Sequence, residues 1–170
     1  MDDHLFSVFK SELISQCELG RAGSELFDAE IKAHIEGRTR NQDGLWFILQ
    51  GIVAVAGDAA KLLWGKGTNT EPEREALREI AEVSANSPLR SRKVRNAFAH
   101  FDERIEKWYE EGDTNAYASR IIGQHEFPPQ KSRFGHWDPQ TGTIIFREDS
   151  VSVPDLLAEL ERILSKLRPQ

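Results

Sequence analysis

The sequence predicts a mainly α-helical domain: a helical bundle with a small C-terminal β-hairpin and a terminal helix. Three observations lead there. Apolar residues recur at helical spacing along most of the chain, one segment is apolar nearly all round, and one turn bearing proline and glycine is flanked by short strand-like runs. A length of 170 residues fits a single domain, 1–170, with a core large enough to fold without staples.

From Asp3 to Leu19 the residues Leu5, Phe6, Phe9, Leu13, Ile14 and Cys17 share one helical face. Gly20 and Gly23 punctuate this pattern, and Leu26, Phe27, Ile31 and Ile35 continue it to Gly37, as a second helix or as one long helix with a weak joint. Gly37 to Gly44 reads as a loop. Leu45 to Trp64 lacks a polar face until Asp58, which predicts a central helix buried on several sides, with Gly51, Ala54 and Ala56 admitting close neighbours. Gly65-Lys66-Gly67 follows a helix, so it reads as a terminator. Glu71 to Ala85 predicts a surface helix whose thin stripe is Leu77, Ile80, Ala81 and Ser84. Ser87-Pro88 starts the next helix as cap and first-turn proline, and Gly112 stops it after about Glu111. Its stripe is Val94, Ala97, Phe98, Phe101, Ile105 and Trp108. Phe134 to Asp138 and Thr143 to Arg147 flank Pro139-Gln140-Thr141-Gly142 as a hairpin, about 134–147. Val153 to Leu167 forms the last helix, with Leu156, Leu157, Leu160, Ile163, Leu164 and Leu167 on one face.

Composition narrows the function. Cys17 is the only cysteine, so no internal disulfide can form, and Met1-Asp2-Asp3-His4 is acidic where a signal peptide is basic. The longest charge-free stretch, Gly44 to Gly57, falls short of the roughly eighteen apolar residues of a membrane helix. A cytoplasmic protein without membrane partners is expected. The net charge of −6 repels nucleic acid as a whole, yet phosphate binding needs clustered cations and not a favourable average. Pro88 to Asn96 holds Arg90, Arg92, Lys93 and Arg95 with no acid, whereas Asp102 to Asp113 is strongly acidic. Dipole complementation and solvation would account for that split equally well.

The chain has no G-x-S-x-G, P-loop or H-E-x-x-H motif. His4, His34, His100, His125 and His136 form no pair at ligand spacing, so no metal and no cofactor is expected; His125, His136 and Asp138 share one irregular region and are the residues best placed to meet. What remains is Arg95-Asn96-Ala97-Phe98-Ala99-His100. A second stretch of the same pattern, Arg120 to His125, contains Gly123 and runs into Phe127-Pro128-Pro129, which removes it from a helix.

The Arg95 to His100 stretch resembles the R-x(4–6)-H motif of the HEPN superfamily, helical-bundle proteins of nucleotide binding and RNA cleavage. Polar Asn96 after the arginine, the amphipathic setting, and the run His100-Phe101-Asp102-Glu103-Arg104 followed by Trp108 are similar to a bacterial, toxin-like branch. The resemblance covers Leu45 to Trp108; the hairpin and last helix lie outside the minimal module. It implies a HEPN-like up-and-down bundle and metal-independent RNA cleavage with the substrate 2′-hydroxyl as nucleophile. His100 would move the proton, Arg95 would hold the phosphate as charge develops, and Asn96 would hold the phosphate or orient His100. Arg90, Arg92 and Lys93 would line the RNA backbone. On one ideal helix Arg95 and His100 stand about 140° apart, and the family's remedy is a homodimer with a composite site. The setting implied is a toxin or phage-defence system with a cognate antitoxin or other protein partner. The alternatives are a non-catalytic module that binds nucleotide, RNA or a partner protein, and a helical domain with no ligand site. In that last case Arg95 pairs with Asp102 or another acid, and His100 faces Glu103.

Overall fold

The computed structural model describes residues 2–38, 41–65, 72–112, 116–123 and 128–168. The first helix, α1 (Asp3–Ile35), is continuous. Asp2 caps it by accepting from the Leu5 amide at 2.8 Å. At its far end Gly37 takes φ 69°, and the Gly37 and Arg38 amides return to the His34 and Ala33 carbonyls. Neither Gly20 nor Gly23 breaks this helix. Both mark close approaches: a Cβ on Gly20 would stand 2.7 Å from Leu160 Cδ1, and one on Gly23 would stand 3.1 Å from Ile52 Cγ1.

Ile52 belongs to α2 (Gln42–Trp64), capped by Asn41, which accepts from the Gly44 amide at 2.9 Å. Leu45, Leu49, Ile52, Ala56, Ala59 and Leu63 are buried, so α2 is the central helix that its apolar run predicts. By length and composition it could cross a membrane, but half of its most apolar window is buried inside this fold. Gly51 does not admit a neighbour, because nothing lies within 4 Å of its would-be Cβ. Gly57 does so instead, and Gly65 ends the helix at φ 71° as expected.

The surface helix is shorter than expected. A 3-10 turn at Pro72–Arg74 leads into α3 (Glu75–Ile80). Glu82 stops it at φ 51°, with the Glu82 and Val83 amides returned to the Glu79 and Arg78 carbonyls, a role usually taken by glycine. Lys166 holds the Glu82 carboxylate at 2.7 Å. Leu77 and Ala81 are buried, whereas Ile80 and Ser84 are exposed.

The expected helix from Ser87 to Glu111 is divided. Ser87 caps a 3-10 turn, Pro88–Arg90, then come α4 (Lys93–Ala99) and α5 (Phe101–Glu110), parted at His100 with φ −121° and ψ 41°. Phe101 was expected in the core with the rest of its stripe, and it is 55% exposed.

The hairpin is present within a larger sheet of order β1-β2-β3-β4. Strand β1 (Ala118–Ile122) pairs parallel with β2 (Arg133–Asp138), which pairs antiparallel with β3 (Thr143–Phe146), and β3 likewise with β4 (Asp149–Ser152). Strand β4 runs into α6 (Val153–Leu167), the last helix, where Ser152 accepts from the Asp155 amide. Helix α1 packs on α2 and α6, and Arg21 forks onto Glu161 at 2.9 and 2.6 Å across that seam. Beside the main core lies a second cluster of Ala97, Trp108, Phe134 and Phe146, which joins α4 and α5 to the sheet. Buried Arg147 fastens the same joint, donating to Glu111 Oε2 at 2.5 Å and to the Arg104 carbonyl at 3.4 Å.

Candidate functional site

Arg95 leaves α4 toward α2. Its stem lies so close to Gly57 that a Cβ there would stand 2.7 Å from Cγ. The side chain is half-buried and donates from Nη1 to Asn96 Oδ1 at 3.1 Å, so its partner is Asn96 and not Asp102.

His100 ends α4 and begins α5, and its side chain is exposed. Its Nδ1 lies 3.0 Å from Glu103 Oε1. An ionised carboxylate only accepts, so Nδ1 is the donor in this pair, and a neutral ring so held has its lone pair on Nε2. That is the tautomer a proton acceptor needs, fixed by a partner on the next turn. No hydrogen bond joins Arg95 to His100 among the described residues; the structure pairs Arg95 with Asn96 and His100 with Glu103.

Two of the three flanking cations bond to backbone carbonyls. Arg92 donates to the Gly65 carbonyl at 3.1 Å, across the end of α2, and Arg90 donates to the Ala85 carbonyl at 3.3 Å. Lys93 is exposed in the first turn of α4.

Two adjoining grooves lie along α2 and α4. Arg95, Gln50, Ala54 and Ala99 border one, of about 290 Å³. The other, of about 410 Å³, is lined by aromatic rings from α4, α5 and the sheet, together with Ser119 and Arg120. Gln50 and Phe98 border both. The motif leaves this second groove unannounced, because its walls come from segments far apart in the chain. Its only sequence signal is the density of aromatics after Phe98.

His136 has both ring nitrogens engaged. Nε2 donates to the Gly123 carbonyl at 2.5 Å, and Nδ1 faces Arg133 Nη1 at 3.3 Å. Asp138 organises the hairpin turn by accepting from the Gln140 amide and the Thr141 hydroxyl, both at 2.9 Å, and these bonds hold its carboxyl below the usual range. His125 lies outside the described residues. Among the described residues no three His, Cys, Asp or Glu side chains gather as a metal site. Cys17 is buried, and desolvation, with Glu161 and Glu159 nearby, pushes its thiol up to about 12. It is a packing residue and not a nucleophile. The chain matches no protein-family model, and no curated protein or solved structure is significantly similar to it.

Proposed function

We propose that the chain is a HEPN-like, metal-independent endoribonuclease that acts as a homodimer, in the setting of a bacterial toxin or phage-defence system. The supporting observation is His100, exposed at the joint between α4 and α5, with Nδ1 held by Glu103 and no hydrogen bond to Nε2 among the described residues. Nε2 would take the proton of a ribose 2′-hydroxyl as its oxygen attacks the adjacent phosphorus. The P–O5′ bond breaks, the 5′-oxygen leaves as a hydroxyl with a proton from solvent, and a 2′,3′-cyclic phosphate remains while the imidazolium returns its proton to solvent. The guanidinium of Arg95 would hold the phosphate as charge builds on it, with Asn96 beside it. Because Arg95 and His100 share no hydrogen bond in one chain, the second protomer would bring the partner motif opposite. The mainly helical fold is compatible with a HEPN-like module.

His100→Ala should abolish cleavage and leave RNA affinity nearly unchanged, whereas Arg95→Ala should weaken both. Cleavage should persist in EDTA. A second reading, a non-catalytic module that binds RNA, nucleotide or a partner such as an antitoxin, is favoured by the engagement of Arg95 with Asn96 within one chain. Wild-type protein that leaves diverse RNAs intact but binds them through Arg95 would establish that reading in place of cleavage.

A further inference from the structure

We propose that the aromatic groove between α2, α5 and β1 seats an unpaired nucleobase of a single-stranded RNA, next to the phosphate held at Arg95. The proposal rests on the RNA-directed reading of the Arg95 site and adds the form of the substrate. The floor of the groove is a closed edge-to-face cluster: Phe98 against Phe146 at 5.2 Å between ring centroids, and Phe146 against Phe134 at 5.5 Å. The sides are different. Phe101 is 55% exposed and Tyr117 is 49% exposed, so both keep ring surface open to the groove. Tyr117 is braced from behind by Phe134 at 5.0 Å and Trp108 at 5.6 Å, which holds its plane without covering it.

The polar rim fits a base better than it fits an aliphatic side chain. The Gln50 amide and Ser119 hydroxyl offer donors and acceptors, and Arg120, anchored to Asp43 at 2.8 Å, brings a cation to the mouth. At about 410 Å³ the groove is in the size range of small-molecule sites. Gln50 and Phe98 border both grooves, so the ring-lined groove opens beside the one that Arg95 borders, and in the proposed pose the base lies in the first and the phosphate in the second. Stacking tolerates any base and requires it to be unpaired, so selection falls on strandedness more than on sequence.

The test uses the full chain and a short fluorescein-labelled 2′-O-methyl oligoadenylate, which lacks the nucleophile and so reports binding without cleavage. Phe101→Leu and Tyr117→Leu should each weaken binding about 5- to 150-fold, the range for losing one base–aromatic stack. Phe101→Tyr and Tyr117→Phe should restore it, and the duplex form of the probe should bind no better to wild type than to either leucine variant. Circular dichroism and melting temperature confirm folding, which exposed Phe101 and Tyr117 should not control. Equal affinity in wild type and both leucine variants overturns the proposal, as does equal rescue by leucine and aromatic residues. A change of oligomeric state in Phe101→Leu, with affinity per chain unchanged, also overturns it by assigning the groove to a second copy or a protein side chain. The two readings fail separately. Cleavage that depends on His100 but not on Phe101 or Tyr117 sinks the base site alone, whereas aromatic-dependent binding without cleavage sinks the nuclease alone.

Discussion

Arg95 reaches the groove only because Gly57 lets its stem lie flat on α2. A methyl group at Gly57 would stand 2.7 Å from Cγ and 3.2 Å from Cδ, so the arginine would have to lift away. Under the RNA-binding reading proposed for Arg95, Gly57→Ala should therefore lower RNA affinity toward that of Arg95→Ala while costing only about 1 kcal/mol of stability. A titration of both variants with the oligoadenylate probe checks this. Cys17 makes the opposite case, a reactive residue type rendered inert by its surroundings. With its thiol pushed up to about 12, alkylation at neutral pH should be slow in the native protein and fast in urea, as followed by mass spectrometry. Glu159 links single-residue chemistry to pH. Hydrogen bonds from Arg162 and Ser87 hold its carboxyl below the ordinary glutamate value of 4.5. A depressed folded-state value contributes stability above the unfolded value, and that contribution is lost as pH falls through the folded one. Glu159→Gln should therefore flatten the fall of melting temperature below about pH 4.5, and an unchanged slope would exclude Glu159 as a contributor.

Among elements, the glycines of α1 and α2 separate propensity from packing. Gly20 and Gly51 both sit inside helices, where alanine is favoured by about 1 kcal/mol. Around Gly51 there is open space, so Gly51→Ala should stabilise by about 0.5–1 kcal/mol. At Gly20 the added methyl meets the buried Leu160, so overpacking of about 1–3 kcal/mol should outweigh the gain. Urea unfolding of the pair should give opposite signs. The motif region teaches a related lesson. The stripe Val94, Ala97, Phe98, Ile105 and Trp108 does face the interior, with Val94, Ala97 and Trp108 buried. Phe101 lies on that face, but it borders an open groove and not a filled core. Periodicity reports which side a residue is on; it does not report whether the space on that side is filled.

For the molecule as a whole, the joint between α5 and the sheet depends on Arg147, whose side chain is 1% exposed. It replaces what would otherwise be apolar contact with an ion pair to Glu111 and a bond to the Arg104 carbonyl. Arg147→Ala should cost at least about 2 kcal/mol in denaturant unfolding, and Arg147→Lys should recover little, because an ammonium lacks the guanidinium fork. The proposed composite site requires a dimer: light scattering at micromolar concentration should give twice the chain mass, and a monomer with full activity would remove the need for a second motif. Much of this architecture was legible in the residues alone. The mainly helical composition, α2, the hairpin, α6 and the stops at Gly37, Gly65 and Gly112 follow from periodicity, caps and turn residues that act within a few positions. The rest depended on partners far along the chain. Strands β1 and β4 are short and partly polar, and they exist because β2 and β3 offer edges to pair with. Glu82 ends α3 at a positive φ with its side chain held by Lys166. The Arg95 and His100 positions, and the facing of His100 by Glu103, could be named from the sequence because they lie within one turn, but the aromatic groove beside them was decided only when distant surfaces closed on one another.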